Sequence, residues 1–393
     1  MMIKVPIIGS THSVPDLVYA LAHVPCQSVN ARFKARLAVF LGAGAVHTLN
    51  SGLASFYLIL EALKAISSKK EVILPAYTAG SLIVAVKKAG LKPVLCDISL
   101  DNFNADIAGV RSAIGDNTLA VVCVHMFGIP VDHIESVKAV MPDNVFLIED
   151  CCQAMGSRIK DRPVGSFGDV SFFSFNRGKN LSANNGGCII TRAGSLEEPL
   201  RVALRSCPPA GAMEWLGAFF KAALFMTGTD PHVYWMGHAL AAGFRETMPP
   251  DDLLARAMAN FQISLGLCSM QKADSLFMSR YRNGSGLLRG LAGVPGVRLP
   301  LISPDILPVF NRMPILFDDA SLIQPAQRKL WRKGIETSRM YIKPLHHMFD
   351  LGYKRDSFRN ACYLADHLLT LPVHPGVRSR HIEIIIDTIR GLP

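Results

Sequence analysis

The chain has 393 residues, 50% of them hydrophobic and 18% charged, with a net charge of +10. That length holds two domains or one elaborate α/β unit, and that apolar fraction excludes extensive disorder. The basic balance, with a pI near 9.2, is spread along the chain with no basic run interleaved with aromatics, which argues against nucleic acid and for anionic ligands.

In chain order, Asn50-Ser51-Gly52 opens an expected helix over Ser51 to Ala65, where Leu53, Phe56, Tyr57, Leu60 and Leu63 recur at helical spacing. A helix start of this kind can hold phosphate with backbone amides and the positive end of the dipole. Strand signals at Glu71 to Leu74, Pro93 to Asp97, Ala120 to His125 and Val145 to Asp150 alternate with helical segments. This rhythm predicts an α/β fold, a mostly parallel sheet with helices on both faces and its site at the carboxyl ends of the strands. An apolar stretch follows, Trp215 to Met226 and then Val233-Tyr234-Trp235-Met236. Beyond about Asp251 the pattern predicts a long helix from Leu253 to Tyr281, a strand-like piece at Pro308 to Phe317, and helices at Gln324 to Lys333 and His381 to Ile389. The expected division is a large domain over 1–250, with an N-terminal segment and an apolar insert near 213–240, and a smaller C-terminal α/β domain over 251–393.

The chemistry concentrates between Val145 and Thr191. Asp150 ends an apolar strand, and Lys179 follows in the glycine-rich turn Ser174-Phe175-Asn176-Arg177-Gly178-Lys179. Pyridoxal phosphate chemistry requires such a pair. The amine forms a Schiff base with the cofactor aldehyde, and the carboxylate keeps the pyridine nitrogen protonated so that the ring withdraws electrons from a carbanion. The plainer readings are a solvated lysine and an aspartate that caps the following turn.

Ile148-Glu149-Asp150-Cys151-Cys152-Gln153-Ala154-Met155-Gly156, Gly165-Ser166-Phe167-Gly168-Asp169 and Gly186-Gly187 resemble the DegT/DnrJ/EryC1/StrS family of sugar aminotransferases. Asn50-Ser51-Gly52, Leu74-Pro75-Ala76-Tyr77-Thr78, His125-Met126-Phe127-Gly128-Ile129-Pro130-Val131-Asp132 and Leu371-Pro372-Val373-His374-Pro375-Gly376 agree in the same order, so the likeness covers nearly the whole chain. The resemblance implies the type I fold of pyridoxal phosphate-dependent transferases, with Lys179 and Asp150 as the catalytic pair. It further implies that Gln153 bonds the ring hydroxyl, that Ser51, Gly52, Leu53 and Ser174 surround the phosphate, and that Ala79 lies against the ring. Gln153 and Ser174 also admit plainer readings, as polar groups satisfying their own loop backbone. His125, a lone histidine at a strand end, reads as structural.

Three departures from the family pattern stand out. Leu53 replaces the threonine of a Ser-Gly-Thr phosphate grip, and Ala79 replaces a ring that stacks on the cofactor. Each change is expected to cost about 1–3 kcal/mol of cofactor binding. Ala255-Arg256-Ala257-Met258 stands where an Asn-Tyr-Arg-Met run usually reaches into the neighbouring subunit's site.

The implied reaction is a ping-pong transamination from a small-molecule amino donor, glutamate in most of the family, to a keto acceptor on a nucleotide-linked sugar. Related dehydratases carry histidine where this chain has Lys179. The implied assembly is a homodimer with shared sites. The apolar stretch through 215–236, interrupted by Lys221, is too short for a bilayer, which takes about 20 residues. It reads as a buried helix or subunit interface, or else as a surface for peripheral membrane contact. The nine cysteines lack C-x-x-C and metal-like spacing, and Cys151 and Cys152 are expected to point different ways. With no secretory signal at Met1-Met2-Ile3-Lys4-Val5-Pro6, the expected location is the cytoplasm. The alternatives are transfer to a non-sugar or lipid-like ketone or aldehyde, and a degenerate, non-catalytic homologue.

Overall fold

The computed structural model describes residues 4–234 and 253–393. The chain opens with helices α1 (Val14–Ala22) and α2 (Ser28–Leu41), then β1 (Ala45–Leu49) and α3 (Gly52–Ile66). An alternating series follows: β2 (Glu71–Pro75), α4 (Ser81–Lys88), β3 (Lys92–Cys96), α5 (Ile107–Ala113), β4 (Thr118–Val124), α6 (Ile134–Ala139) and β5 (Phe146–Asp150). The short strands β6 (Arg158–Ile159) and β7 (Arg162–Pro163) precede β8 (Val170–Ser174) and β9 (Gly187–Thr191).

Seven strands pair in the order β1-β9-β8-β5-β4-β2-β3. Every pairing is parallel except those of β9, which runs against both β1 and β8. All seven residues of β4, Thr-Leu-Ala-Val-Val-Cys-Val, are buried, as expected of a strand covered on both faces. Alternate residues serve different cores. Val122, Val124 and Ile148 join α3 and α4 on one face, while Val121, Cys123 and Leu147 join Val110 of α5 and Val137 of α6 on the other. Cys151 and Cys152 likewise pack in different clusters.

Helices α7 (Glu197–Arg205) and α8 (Ala212–Gly228) lead to the undescribed stretch, which contains Trp235, Met236 and the expected boundary at 250/251. The long helix expected from Leu253 to Tyr281 is two helices, α9 (Asn260–Gln271) and α10 (Ala273–Leu291). It starts late because residues 254–257 are drawn out along β1 and its exit: Asn50 donates to Arg256 O at 2.9 Å, and Leu49 bridges Ala257. It breaks at Lys272, whose ammonium is held by Asp16 at 2.7 Å.

The remaining elements are β10 (Val297–Arg298), β11 (Ile306–Leu307), β12 (Met313–Phe317), α11 (Ile323–Arg332), α12 (Leu345–Met348), α13 (Arg359–His367), β13 (Leu368–Leu371) and α14 (Ser379–Arg390). β10, β12 and β13 form a second sheet, and β11 pairs with the β6-β7 hairpin. The strand expected from Pro308 shortens to β12, because Val309 and Asn311 turn their amides to Ser157 Oγ and Phe127 O instead. Helix α8 buries Ala218 and Ala222 against α9 but leaves Met213, Leu216, Phe220 and Leu224 exposed. Among the described residues no helix is long and apolar enough to cross a membrane.

Candidate active site

Strand β5 presents two consecutive carboxylates to opposite faces of the sheet. Glu149 is fully buried and accepts from the amides of Gly165, Phe167 and Gly168 at 2.8, 2.7 and 2.6 Å. His125 Nε2 lies 3.1 Å from it, while His125 Nδ1 accepts from the Val131 amide at 3.0 Å. The proton therefore sits on Nε2 and the neutral ring donates to Glu149. Burial pushes the Glu149 carboxyl up, but these bonds outweigh it and hold the group below its ordinary value. The Gly-Ser-Phe-Gly motif thus serves a buried structural carboxylate, a role its sequence did not disclose.

Asp150 is 6% exposed and has one backbone donor, the Cys152 amide at 2.9 Å. Burial pushes its carboxyl up, and the Cys152 donor and the Lys179 charge only partly offset that. A buried carboxylate with so few donors is poised to receive a positive N–H.

Gln153 lies beside it. Its Oε1 accepts from the Phe127 amide at 3.1 Å, while its Nε2 has only long contacts of 3.4 Å to Tyr341 Oη and Met126 Sδ. Its amide hydrogens therefore remain available to a stronger acceptor. Tyr341 belongs to this cluster although sequence reasoning missed it. It has a left-handed φ of 51°, packs edge-on to Tyr77 with ring centroids 5.7 Å apart, and has its phenol pushed up by burial and by the Asp150 charge. Tyr77 in turn is fully buried and donates to the carbonyl of Met340. Tyr341 lies 188 residues from Gln153, so no local spacing reveals it.

Lys179 follows Gly178, whose φ of +75° and whose would-be Cβ 2.7 Å from Ile8 Cγ2 leave room for glycine alone. The turn is tied down on both sides. Asn311 donates to Gly178 O at 2.8 Å, Arg280 to Lys179 O at 3.3 Å, and Asn180 Nδ2 to the carbonyls of Gln153, Met155 and Val309. Arg280 is buried, and burial lowers its guanidinium to about 10. It is a second residue the sequence reading missed, and it positions the lysine's backbone.

The first turn of α3 lies across the end of β8. Ser51 caps it, accepting from the Ala54 amide at 3.0 Å. A Cβ on Gly52 would come 2.9 Å from Ser174 Cβ, 3.1 Å from Cys152 Sγ and 3.2 Å from Phe173 O. Glycine is what lets this helix start lie against Ser174 and Cys152. The amides of Gly52 and Leu53 have no partner within the helix, as at any helix start. Leu53 packs its side chain on the core, and among the described residues Ser174 Oγ engages only the Asn176 amide, at a long 3.4 Å. Ala79, partly exposed, follows Tyr77 and Thr78 in the loop after β2. The Ala255–Met258 run packs on its own chain beside Asn50, and Arg256 pairs with Glu214 of α8 at 2.6 Å. A separate cavity of about 450 Å³, lined by Tyr57, Glu61, Val202 and Ser206 among others, shares no residue with this cluster.

The DegT/DnrJ/EryC1/StrS aminotransferase family model matches residues 27–220 and 254–390. The chain belongs to this family. Its members use pyridoxal 5′-phosphate, and so does this chain. The match stops at 220 and resumes at 254, so the end of α8 and the stretch after it lie outside the matched residues. The chain is 28% identical to dTDP-4-dehydro-2,6-dideoxy-D-glucose 3-dehydratase of Saccharopolyspora spinosa, over 91% of this chain and 79% of that protein. It is 27% identical to dTDP-3-amino-3,4,6-trideoxy-alpha-D-glucose transaminase of Streptomyces venezuelae, over 91% and 85%. The crystal structure of S. venezuelae DesV in complex with a ketimine intermediate superposes with a TM-score of 0.77 at 25% identity, covering 96% of this chain and 94% of that one.

The cluster fits the cofactor this family uses. A phosphate matches the α3 start and Ser174, a protonated ring nitrogen matches the under-satisfied Asp150, and a ring hydroxyl matches the loosely engaged Gln153 amide.

Proposed function

We propose that the chain transfers an amino group, with glutamate as donor, to the keto group of a nucleotide-linked sugar in polysaccharide or glycoside biosynthesis. The observation that carries this reading is the convergence of a donor-poor buried carboxylate, Asp150, with Lys179 and a helix start beside Ser174.

Pyridoxal phosphate, when bound, supplies an electron sink for a carbanion at the substrate carbon. Asp150 would hold the proton on the ring nitrogen, and Gln153 Nε2 would donate to the ring hydroxyl. Ser174, Ser51 and the Gly52 and Leu53 amides would hold the phosphate, and Ala79 would offer the ring no aromatic partner. Lys179 would anchor the cofactor through its amine, and that amine, once free, would take the proton from the substrate carbon and return it. A lysine at this position supports amino transfer over the dehydration performed by relatives with histidine.

The accompanying division assigns 1–250 to the cofactor domain and 251–393 to the smaller one. The chain works as a cytoplasmic homodimer with shared sites. The exposed stripe Met213, Leu216, Phe220 and Leu224 supports peripheral membrane contact and, with it, an apolar carbonyl acceptor as the second reading.

The test is 2-oxoglutarate release from glutamate, with dTDP- and GDP-linked 4-keto sugars set against long-chain aldehydes. Turnover with a nucleotide sugar is expected. Turnover with the aldehydes alone would favour the second reading, and turnover with neither would contradict both.

A further inference from the structure

Away from this cluster, three side chains that the reaction does not use converge on one point. His346 and His347 lie on α12, Cys362 lies on α13, and Arg355 sits in the connection between them. Cys362 Sγ is 3.7 Å from His346 Nε2 and 3.9 Å from His347 Nε2. The Arg355 carbonyl oxygen is 2.8 Å from His347 Nε2, 3.4 Å from His346 Nε2 and 4.0 Å from Cys362 Sγ. Tetrahedral zinc, with bonds of about 2.0–2.1 Å to nitrogen or oxygen and about 2.3 Å to sulfur, sets ligand atoms roughly 3.3–3.6 Å apart. The observed edges scatter about that range by roughly half an ångström.

Protein contacts alone serve this arrangement poorly. Two imidazoles and a thiol all approach one carbonyl, and the thiol's best acceptor is Ser357 O at 3.5 Å. His346 is 9% exposed, and its Nδ1 is buried without a hydrogen-bond partner. Carrying the His346 proton on Nδ1 frees the Nε2 lone pair for a metal. Two imidazoles, a thiolate and a carbonyl suit a borderline-soft divalent ion that prefers four ligands.

We propose that His346, His347 and Cys362, with the Arg355 carbonyl as fourth ligand, form a structural site for Zn²⁺. Binding displaces the Cys362 thiol proton to solvent and involves no redox change. The segment closed by this ion grips the edge of the large sheet. The Leu345 amide donates to Ala76 O at 2.8 Å, Tyr353 Oη accepts from the Leu95 amide at 2.9 Å, and Asp97 accepts from the amides of Asn360 and Ala361 at 3.1 and 3.0 Å. Zinc would therefore brace the segment next to Tyr341 against the loop that carries Tyr77 and Ala79.

The experiment uses the full chain purified without chelator, loaded with Zn²⁺ and freed of excess. Elemental analysis should give one zinc per chain, and zinc-edge X-ray absorption should show one sulfur among nitrogen and oxygen neighbours. Cys362→Ser and His347→Ala should each weaken zinc retention against a chromophoric chelator at least about tenfold, the lower end of what losing even an outer-shell partner costs. Cys26→Ser should leave it unchanged. Removing zinc should lower the melting temperature of the wild type but not that of Cys362→Ser. Substoichiometric zinc in the wild type, a coordination shell without sulfur, or zinc retention as tight as the wild type's in both variants would overturn the site. If either variant fails to fold, the wild-type stoichiometry and absorption spectrum decide alone.

Discussion

Glu149 and Asp150 are adjacent on one strand, are both carboxylates and are both buried, yet their surroundings differ. Glu149 meets three amides and a histidine, which pull its carboxyl down. Asp150 meets one amide and stays pushed up by burial. A carboxylate whose lone pairs are all used by its own fold is part of the framework, whereas one buried and left short of donors can receive a ligand's proton. Strand alternation turns a single sequence step into this division of labour.

The comparison can be broken from either side. Glu149→Ala should cost about 3–5 kcal/mol of stability, because it strands three amides and His125 in the interior; a denaturant midpoint close to wild type would show that the cage is not structural. Asp150→Asn should behave in the opposite way. It should leave the midpoint unchanged or slightly raised while amino transfer falls at least about a hundredfold, as when a preorganised charge is lost from an active site.

A buried charge balance of another kind involves histidines. Burial lowers His12 and His374 to about 4, so the native state binds fewer protons than the unfolded chain between that value and the ordinary 6.5. Their stability is fully present above about pH 6.5 and is lost as pH falls toward 4. That amounts to about 1 kcal/mol each between pH 7.5 and 5.5. Denaturant unfolding at the two pH values should show the loss, and His374→Gln should roughly halve it. The smallest effect concerns the phosphate end: Leu53→Thr should tighten pyridoxal phosphate by about 1 kcal/mol, roughly fivefold in affinity, by restoring a hydroxyl at the helix start.

Much of this was legible in the sequence. β2, β3, β4 and β5 fall within a residue or two of their expected spans, because buried parallel strands are continuous apolar runs with clear ends. Lys179, Asp150, Gln153, Ser174 and Gly52 converge as the motif order implied. The antiparallel β9 was not legible, since it rests on pairing β8 with the distant β1. Nor was the role of Gly165 and Gly168, because only the folded turn aims their amides at Glu149. Tyr341 and Arg280 act from other elements through backbone carbonyls and long contacts, which leave no periodic trace. The split at Lys272 depends on Asp16, far away in the chain.

The most direct measurement is the absorption spectrum of the purified protein with added pyridoxal phosphate, before and after borohydride, with peptide mapping and Lys179→Ala in parallel. The account predicts a band at the edge of the visible that borohydride abolishes, leaving the cofactor covalently fixed to Lys179 in wild type alone. No band at saturating cofactor, or an adduct on another lysine, would contradict it.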